Sequence, residues 1–183
     1  MLPRPTIKAF DTWLAARSLR LDAIVVGGSA LALLGITDRQ TRDFDILDPE
    51  LPEEISSEAR EFAAHLRAEG IELGDDWLNN GPRQLAAALP DGWRRRIQVV
   101  FTGAALTMAV IGRTDLLKTK LFALCDRGTD LADCIALAPT TNELKEAEPW
   151  LIEQDGNPRW PDHVRATLED LQAPCVRKVV AWG

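Results

Sequence analysis

Residues 24–48, IVVGGSALALLGITDRQTRDFDILD, constrain this chain more than any other stretch. Ile24-Val25-Val26 is a short β-branched run halted by Gly27-Gly28, which reads as a buried strand entering a tight turn. Ser29 then opens an apolar segment from Ala30 to Leu34. The pattern predicts a short helix with Ser29 as its N-cap and Gly35 as its stop. A second strand follows. Strand side chains alternate, so Arg39, Thr41, Asp43 and Asp45 fall on one face while Phe44 and Ile46 point into a core. Two carboxylates about 7 Å apart along that face can hold one divalent cation between them. Asp43 and Asp45 are therefore the first candidates for chemistry.

Gly27-Gly28-Ser29 after a strand admits three readings. A dinucleotide-binding turn needs glycine at the first, third and sixth places, but the third and sixth places here hold Ser29 and Ala32. A phosphate cradle would use Gly28, Ser29 and backbone N–H groups at a helix start to hold a triphosphate, with Arg39 on the acid-bearing face. An ordinary strand-to-helix turn needs no ligand at all. The acids downstream favour the cradle.

With 183 residues, 46% of them hydrophobic, the chain can build a sizeable core. Its formal charge of −7 argues against a surface that coats nucleic acid broadly. No run of ~18 apolar residues offers a membrane span. MLPRPTIKAF lacks a signal-peptide core, so a cytoplasmic location is expected. Cys125, Cys134 and Cys175 are odd in number and lack metal-ligand spacing, which suits reduced thiols.

The flanks predict an α+β fold, a small mixed β-sheet core with flanking helices and a C-terminal helical half. Thr6–Ser18 and Glu53–Glu69 read as helices, Ile71–Leu73 as a short strand, and Arg83–Leu89 as a helical turn. Arg96–Thr102 and Leu106–Ile111 form a hairpin split by Gly103-Ala104-Ala105. From residue 113 the texture is helical, which divides the chain into a core of residues 1–112 and a subdomain of 113–183 packed on it. Helices are expected over Asp115–Cys125, with Thr114 as cap, and over Asp130–Ala138. Thr140 and Glu143 make a capping box for a third, which Pro149 should kink or end near Glu148, and Pro161–Leu171 is the last. Trp77, Trp93, Trp150 and Trp160 read as core residues.

Gly28-Ser29, a short helix and then Asp43-Phe44-Asp45-Ile46 resemble the signature of the nucleotidyltransferase fold shared with DNA polymerase beta. The nearest branches are the small bacterial minimal nucleotidyltransferases and the AbiEii-type toxin-related proteins. The run from Lys120 through Arg127 to Asp130 and Asp133 resembles the second group's helical segment, and Leu89–Arg94 a related family. The resemblance implies that Asp43 and Asp45 bind Mg²⁺ or Mn²⁺, that an NTP is the substrate, and that an acceptor hydroxyl attacks its α-phosphorus. It also implies a third carboxylate on a neighbouring strand. Here the sequence departs: Gln98 occupies that slot on Arg96–Phe101, although Glu72, Asp75 or Asp76 could swing in.

At ~100° per residue, Lys120 falls within the apolar stripe of Leu116, Leu117, Leu121 and Leu124, and Lys118 lies opposite, in solvent. In the resembling families the corresponding lysine is linked to triphosphate binding; a lysine that buries its stem is the other reading. Two functions stay open. One is a Mg²⁺-dependent enzyme that transfers an NMP to a hydroxyl of RNA, protein or a small molecule. The other is a catalytically impaired binding or antitoxin-type module acting with a toxin or antitoxin partner.

Overall fold

The computed structural model describes residues 2–38 and 40–173. The chain divides into two compact units, Met1–Gly112 and Arg113–Gly183. Arg39 and Cys175 lie outside the described residues. The fold is α+β.

The first unit opens with α1 (Pro3–Ala15), whose buried Ile7, Phe10 and Leu14 recur at helical spacing. β1 (Leu21–Val26) leads into α2 (Gly27–Leu33), and β2 (Phe44–Asp48) into α3 (Glu53–Ala68). β3 (Leu78–Asn79), a short α4 (Leu85–Ala88) and a 3₁₀ turn at Trp93–Arg95 precede β4 (Gln98–Thr102) and β5 (Leu106–Val110). Among the described residues the strands form one five-stranded sheet in the order β3-β2-β1-β5-β4. β1 runs antiparallel to β2 and parallel to β5, while β4 and β5 form the expected hairpin. Ile71–Leu73 is not a strand. The segment that joins the sheet is Leu78–Asn79, parallel to β2.

An aromatic cluster explains that placement. Trp77 is fully buried, and its indole N–H donates to the Ala59 carbonyl at 2.9 Å. Its ring meets Phe10, Phe44 and Phe62 with centroids 5.0, 5.9 and 5.6 Å away. Anchored this way, Trp77 offers its carbonyl to the Phe44 N–H, and the next two residues continue as β3. Burial of rings this large contributes roughly 2–3 kcal/mol each.

α1 is tied to the β4–β5 turn by Asp11. Its Oδ1 accepts from the amides of Ala105 and Leu106, both at 2.8 Å, and Oδ2 from that of Ala104 at 3.1 Å. Burial pushes the Asp11 carboxyl up, but the three amide donors together hold it below its ordinary value. Its stabilising contribution is therefore complete above the unfolded carboxylate range, near 4, and is lost as pH falls through the lower folded value. Asp11→Ala should lower unfolding free energy at neutral pH by about 1–2 kcal/mol, a figure reduced for partial hydration. The deficit should shrink in acid. Urea denaturation of both proteins at neutral pH and near pH 3 checks this, and an equal deficit at both would refute it.

The second unit comprises α5 (Arg113–Arg127), α6 (Leu131–Ala136), α7 (Thr141–Ile152) and α8 (Trp160–Gln172). The expected capping box is present: Thr140 Oγ1 accepts from the Glu143 amide at 3.1 Å, and Glu143 Oε2 accepts from the Thr140 amide at 2.8 Å. α5 starts at Arg113, so Thr114 lies inside it and is not its cap. Pro149 does not end α7, which runs on to Ile152. Proline removes one N–H bond there, while Trp150 and Leu151, buried within the second unit, hold the last turn. The Gln154 amide also donates to the Trp150 carbonyl at 2.7 Å. Cys125 and Cys134 are free and buried, and burial, with Asp130 and Asp133 nearby, pushes the Cys134 thiol up to about 12. Among the described residues no helix is long and apolar enough to cross a membrane.

Candidate functional site

β1 passes into α2 with no intervening loop. Gly27 makes this possible: its φ of +74° is open to glycine and strained for other residues. Val26 pairs with Asp45 across the β1–β2 ladder, which sets Asp45 beside the turn. The Asp45 carboxylate then packs directly on Gly27, where an added Cβ would lie 2.6 Å from Asp45 Oδ2. Only hydrogen fits there.

Gly27→Ala should accordingly cost about 1–2 kcal/mol from backbone strain, plus the displacement of Asp45. In an Asp45→Ala background the collision is gone, so the same substitution should cost the strain alone. Thermal melts of the four proteins test this, and equal costs in both backgrounds would mean that the carboxylate does not press on Gly27.

Ser29 does not cap the helix. α2 starts two residues earlier, with Val26 at the N-cap position and no side-chain cap bond. Ser29 is fully buried, and its hydroxyl donates to the Val26 carbonyl at 3.2 Å. Gly28, half-buried, precedes it in the first turn.

β2 begins later than the period-two reading assumes. Phe44 is its first residue, and residues 40–43 belong to no strand. Alternation therefore does not place Thr41 and Asp43 on a common strand face, and Arg39 lies outside the described residues. Thr41 Oγ1 donates to the Asp43 carbonyl at 3.0 Å, a local turn contact. Asp43 and Asp45 nevertheless flank the buried Phe44, and both are half-exposed.

Gln98 is not in the slot that the sequence reading gave it. The sheet order puts β4 at the far edge, separated from β2 by β1 and β5, and Gln98 is exposed there. The free-side neighbour of β2 is β3, where Asn79 stands opposite Asp45. Asn79 accepts from the Gly81 amide at 2.7 Å and donates to the Asp76 carbonyl at 3.3 Å. Asn80 donates to the carbonyls of Ile46 and Pro49 at 2.9 and 3.0 Å and accepts from the Leu51 amide at 2.7 Å, pinning the end of β2. The sequence marks both asparagines as turn formers; their service to β2 shows only once β3 is placed.

Asp43 opens onto a cleft of about 1260 Å³ between the start of α1, the end of α3 and residues 71–76. Glu72 and Asp76 line it too. Among the described residues no three His, Cys, Asp or Glu side chains form a group that could hold a metal ion. Two carboxylates are what the site offers, and both are hard oxygen donors suited to Mg²⁺ or Mn²⁺.

Within the second unit, Lys120 lies on the buried stripe as helix geometry predicts, at 5% exposure. Its ammonium is 2.7 Å from Asp133 Oδ2 and 3.3 Å from Asp130 Oδ2. Asp133 is fully buried, and Asp130 adopts φ 66° at the entry to α6. These aspartates thus neutralise a lysine on the neighbouring helix. Lys118 is half-buried rather than solvated, with its ammonium 6.0 Å from the Trp150 ring centre.

Residues 6–138 match the model of a family described as "Nucleotidyltransferase of unknown function (DUF6036)". No curated protein and no solved structure gives a significant match.

Proposed function

The chain belongs to this nucleotidyltransferase family, and we propose that it moves a nucleoside monophosphate from an NTP to an acceptor hydroxyl at Asp43 and Asp45. One observation carries the reading: two half-exposed carboxylates flank buried Phe44, and one of them is seated on the glycine that starts α2. Asp43 and Asp45 would hold Mg²⁺ or Mn²⁺, which takes one or two protein carboxylates and fills its shell with water and substrate phosphate. When bound, the cation neutralises charge on the triphosphate and on the departing pyrophosphate.

The chain's own groups supply positioning. The first-turn amides of α2 have no intrahelical partner, so half-buried Gly28 would meet phosphate through the main chain, while fully buried Ser29 would only support the turn. The Ser29 hydroxyl is already given to Val26. The acceptor oxygen forms a bond to the α-phosphorus, the α–β bridging bond breaks, and pyrophosphate leaves with the electron pair. We assign the acceptor's proton to Asp76, which shares the cleft with Asp43. Lys120 we assign to its ion pair with Asp133 and not to the triphosphate.

A second reading has its own support. With no three-acid group among the described residues, the chain could serve as a nucleotide-binding or antitoxin-type module beside a toxin or antitoxin partner. Incubation with labelled NTPs, Mg²⁺ or Mn²⁺ and a cell extract separates the two: label transfer that depends on Asp45 supports the enzyme, and metal binding without transfer supports the module.

A further inference from the structure

The cleft beside Asp43 is built of two kinds of surface. Its rim carries Leu2 and Ile71, 55% and 50% exposed, which are two of the few large apolar side chains left in water among the described residues. Pro5 and Ala9, both exposed, and the buried Leu73 extend that apolar lining. Exposed groups this large, gathered in one concavity, mark an interaction surface more often than a solvated wall.

The charges in the cleft select among partners. Glu72 and Asp76 are exposed acids along it. Arg67, which also lines it, is bound to the Leu73 carbonyl and to Asp75 at 2.6 Å. Its charge is thus compensated before any ligand arrives. Arg42, exposed next to Asp43, lines the cleft as well, but Asp43, Glu72 and Asp76 outnumber it, so a polyphosphate backbone entering here meets net negative charge, and the chain as a whole carries −7. At about 1260 Å³ the cleft also exceeds the roughly 300–1,000 Å³ of a small-molecule site.

We propose that this cleft seats the acceptor, and that the acceptor is a polypeptide segment with a lysine or arginine next to an apolar residue. Its basic side chain meets Glu72, its apolar side chain covers Ile71 and Leu2, and its Ser, Thr or Tyr hydroxyl is presented at Asp43. The chemistry rests on the nucleotidyl-transfer reading; the binding does not. In the transfer, the hydroxyl oxygen of the segment forms the new bond to the α-phosphorus of the NTP. Pyrophosphate leaves, and the hydroxyl proton goes to Asp76.

The test uses the full chain and three fluorescent probes: a short synthetic peptide alternating Leu, Lys and Ser, the same peptide with Glu for Lys, and a short single-stranded RNA. Anisotropy should show binding of the lysine peptide alone. Ile71→Ser and Glu72→Lys should each weaken it about tenfold, or roughly 1.4 kcal/mol, with melting temperatures unchanged. Stronger binding of the RNA or the glutamate peptide overturns the proposal. So does indifference to Glu72→Lys. Peptide binding without label transfer from NTP supports the cleft assignment and counts against the enzyme. Label transfer to RNA, with no peptide bound, keeps the enzyme and refutes the polypeptide acceptor.

Discussion

Lys120→Met should lower the stability of the protein by about 3–5 kcal/mol. The lysine side chain is 7% exposed and its partner Asp133 only 1%, so removing the ammonium leaves a carboxylate inside the protein with its counter-charge gone. Methionine restores the volume of the stem and nothing else. Asp133→Leu in the same chain should recover most of the loss, because a buried pair replaced by apolar groups of similar size is near neutral. Asp130→Asn should cost far less, since Asp130 is 26% exposed and lies 3.3 Å from the ammonium. Urea midpoints of the three variants decide the matter. A Lys120→Met protein within about 1 kcal/mol of the parent, below the usual cost of breaking a buried pair, would show that Asp133 is neutralised by other means and would free the lysine for a ligand.

Asp45→Asn should reduce nucleotidyl transfer by about a thousandfold or more, equivalent to roughly 4 kcal/mol of transition-state stabilisation. Asparagine keeps the shape of the side chain against Gly27 and removes the charge that would hold the cation. The folded state should survive. Two like charges flank Phe44, and relieving their repulsion should leave the metal-free melting temperature unchanged or slightly higher. Mg²⁺ or Mn²⁺ should raise the melting temperature of the parent and leave that of Asp45→Asn where it was. Transfer that persists in Asp45→Asn removes this aspartate from the chemistry. A preserved metal response would place the cation elsewhere.

What the sequence made legible was local. The β-branched run before Gly27-Gly28, the apolar Phe44 and Ile46, and the Thr140–Glu143 box carry their own instructions, and each forms where expected. The errors arise where one segment depends on a distant one. Alternation puts Asp43 on a strand only if the strand extends that far, yet β2 starts at Phe44, whose amide pairs with the carbonyl of Trp77. A two-residue strand such as Leu78–Asn79 has no periodicity to detect, so the sequence alone offers β4 as the neighbour of β2, although β4 lies at the far edge of the sheet. Helix geometry placed Lys120 on the buried stripe correctly. It could not show that Asp133, on another helix, would be its counter-ion, because that depends on the turn at Asp130.

The clasp between Asp11 and the β4–β5 turn bears on how the chain is made. Asp11 lies 95 residues before Leu106, whose amide it binds, and β1 waits nearly as long for β5, its parallel neighbour. A ribosome adding about 5–20 residues per second delivers that partner roughly 5–20 s after α1 has emerged. During this interval α1 lacks the turn to which it is fastened, and one edge of β1 has no strand beside it. Pairings of such long range also slow the final collapse. Helix α1 is thus secured long after it is made, and the aspartates that frame the candidate site gain their complete sheet only when the hairpin after residue 96 has left the ribosome.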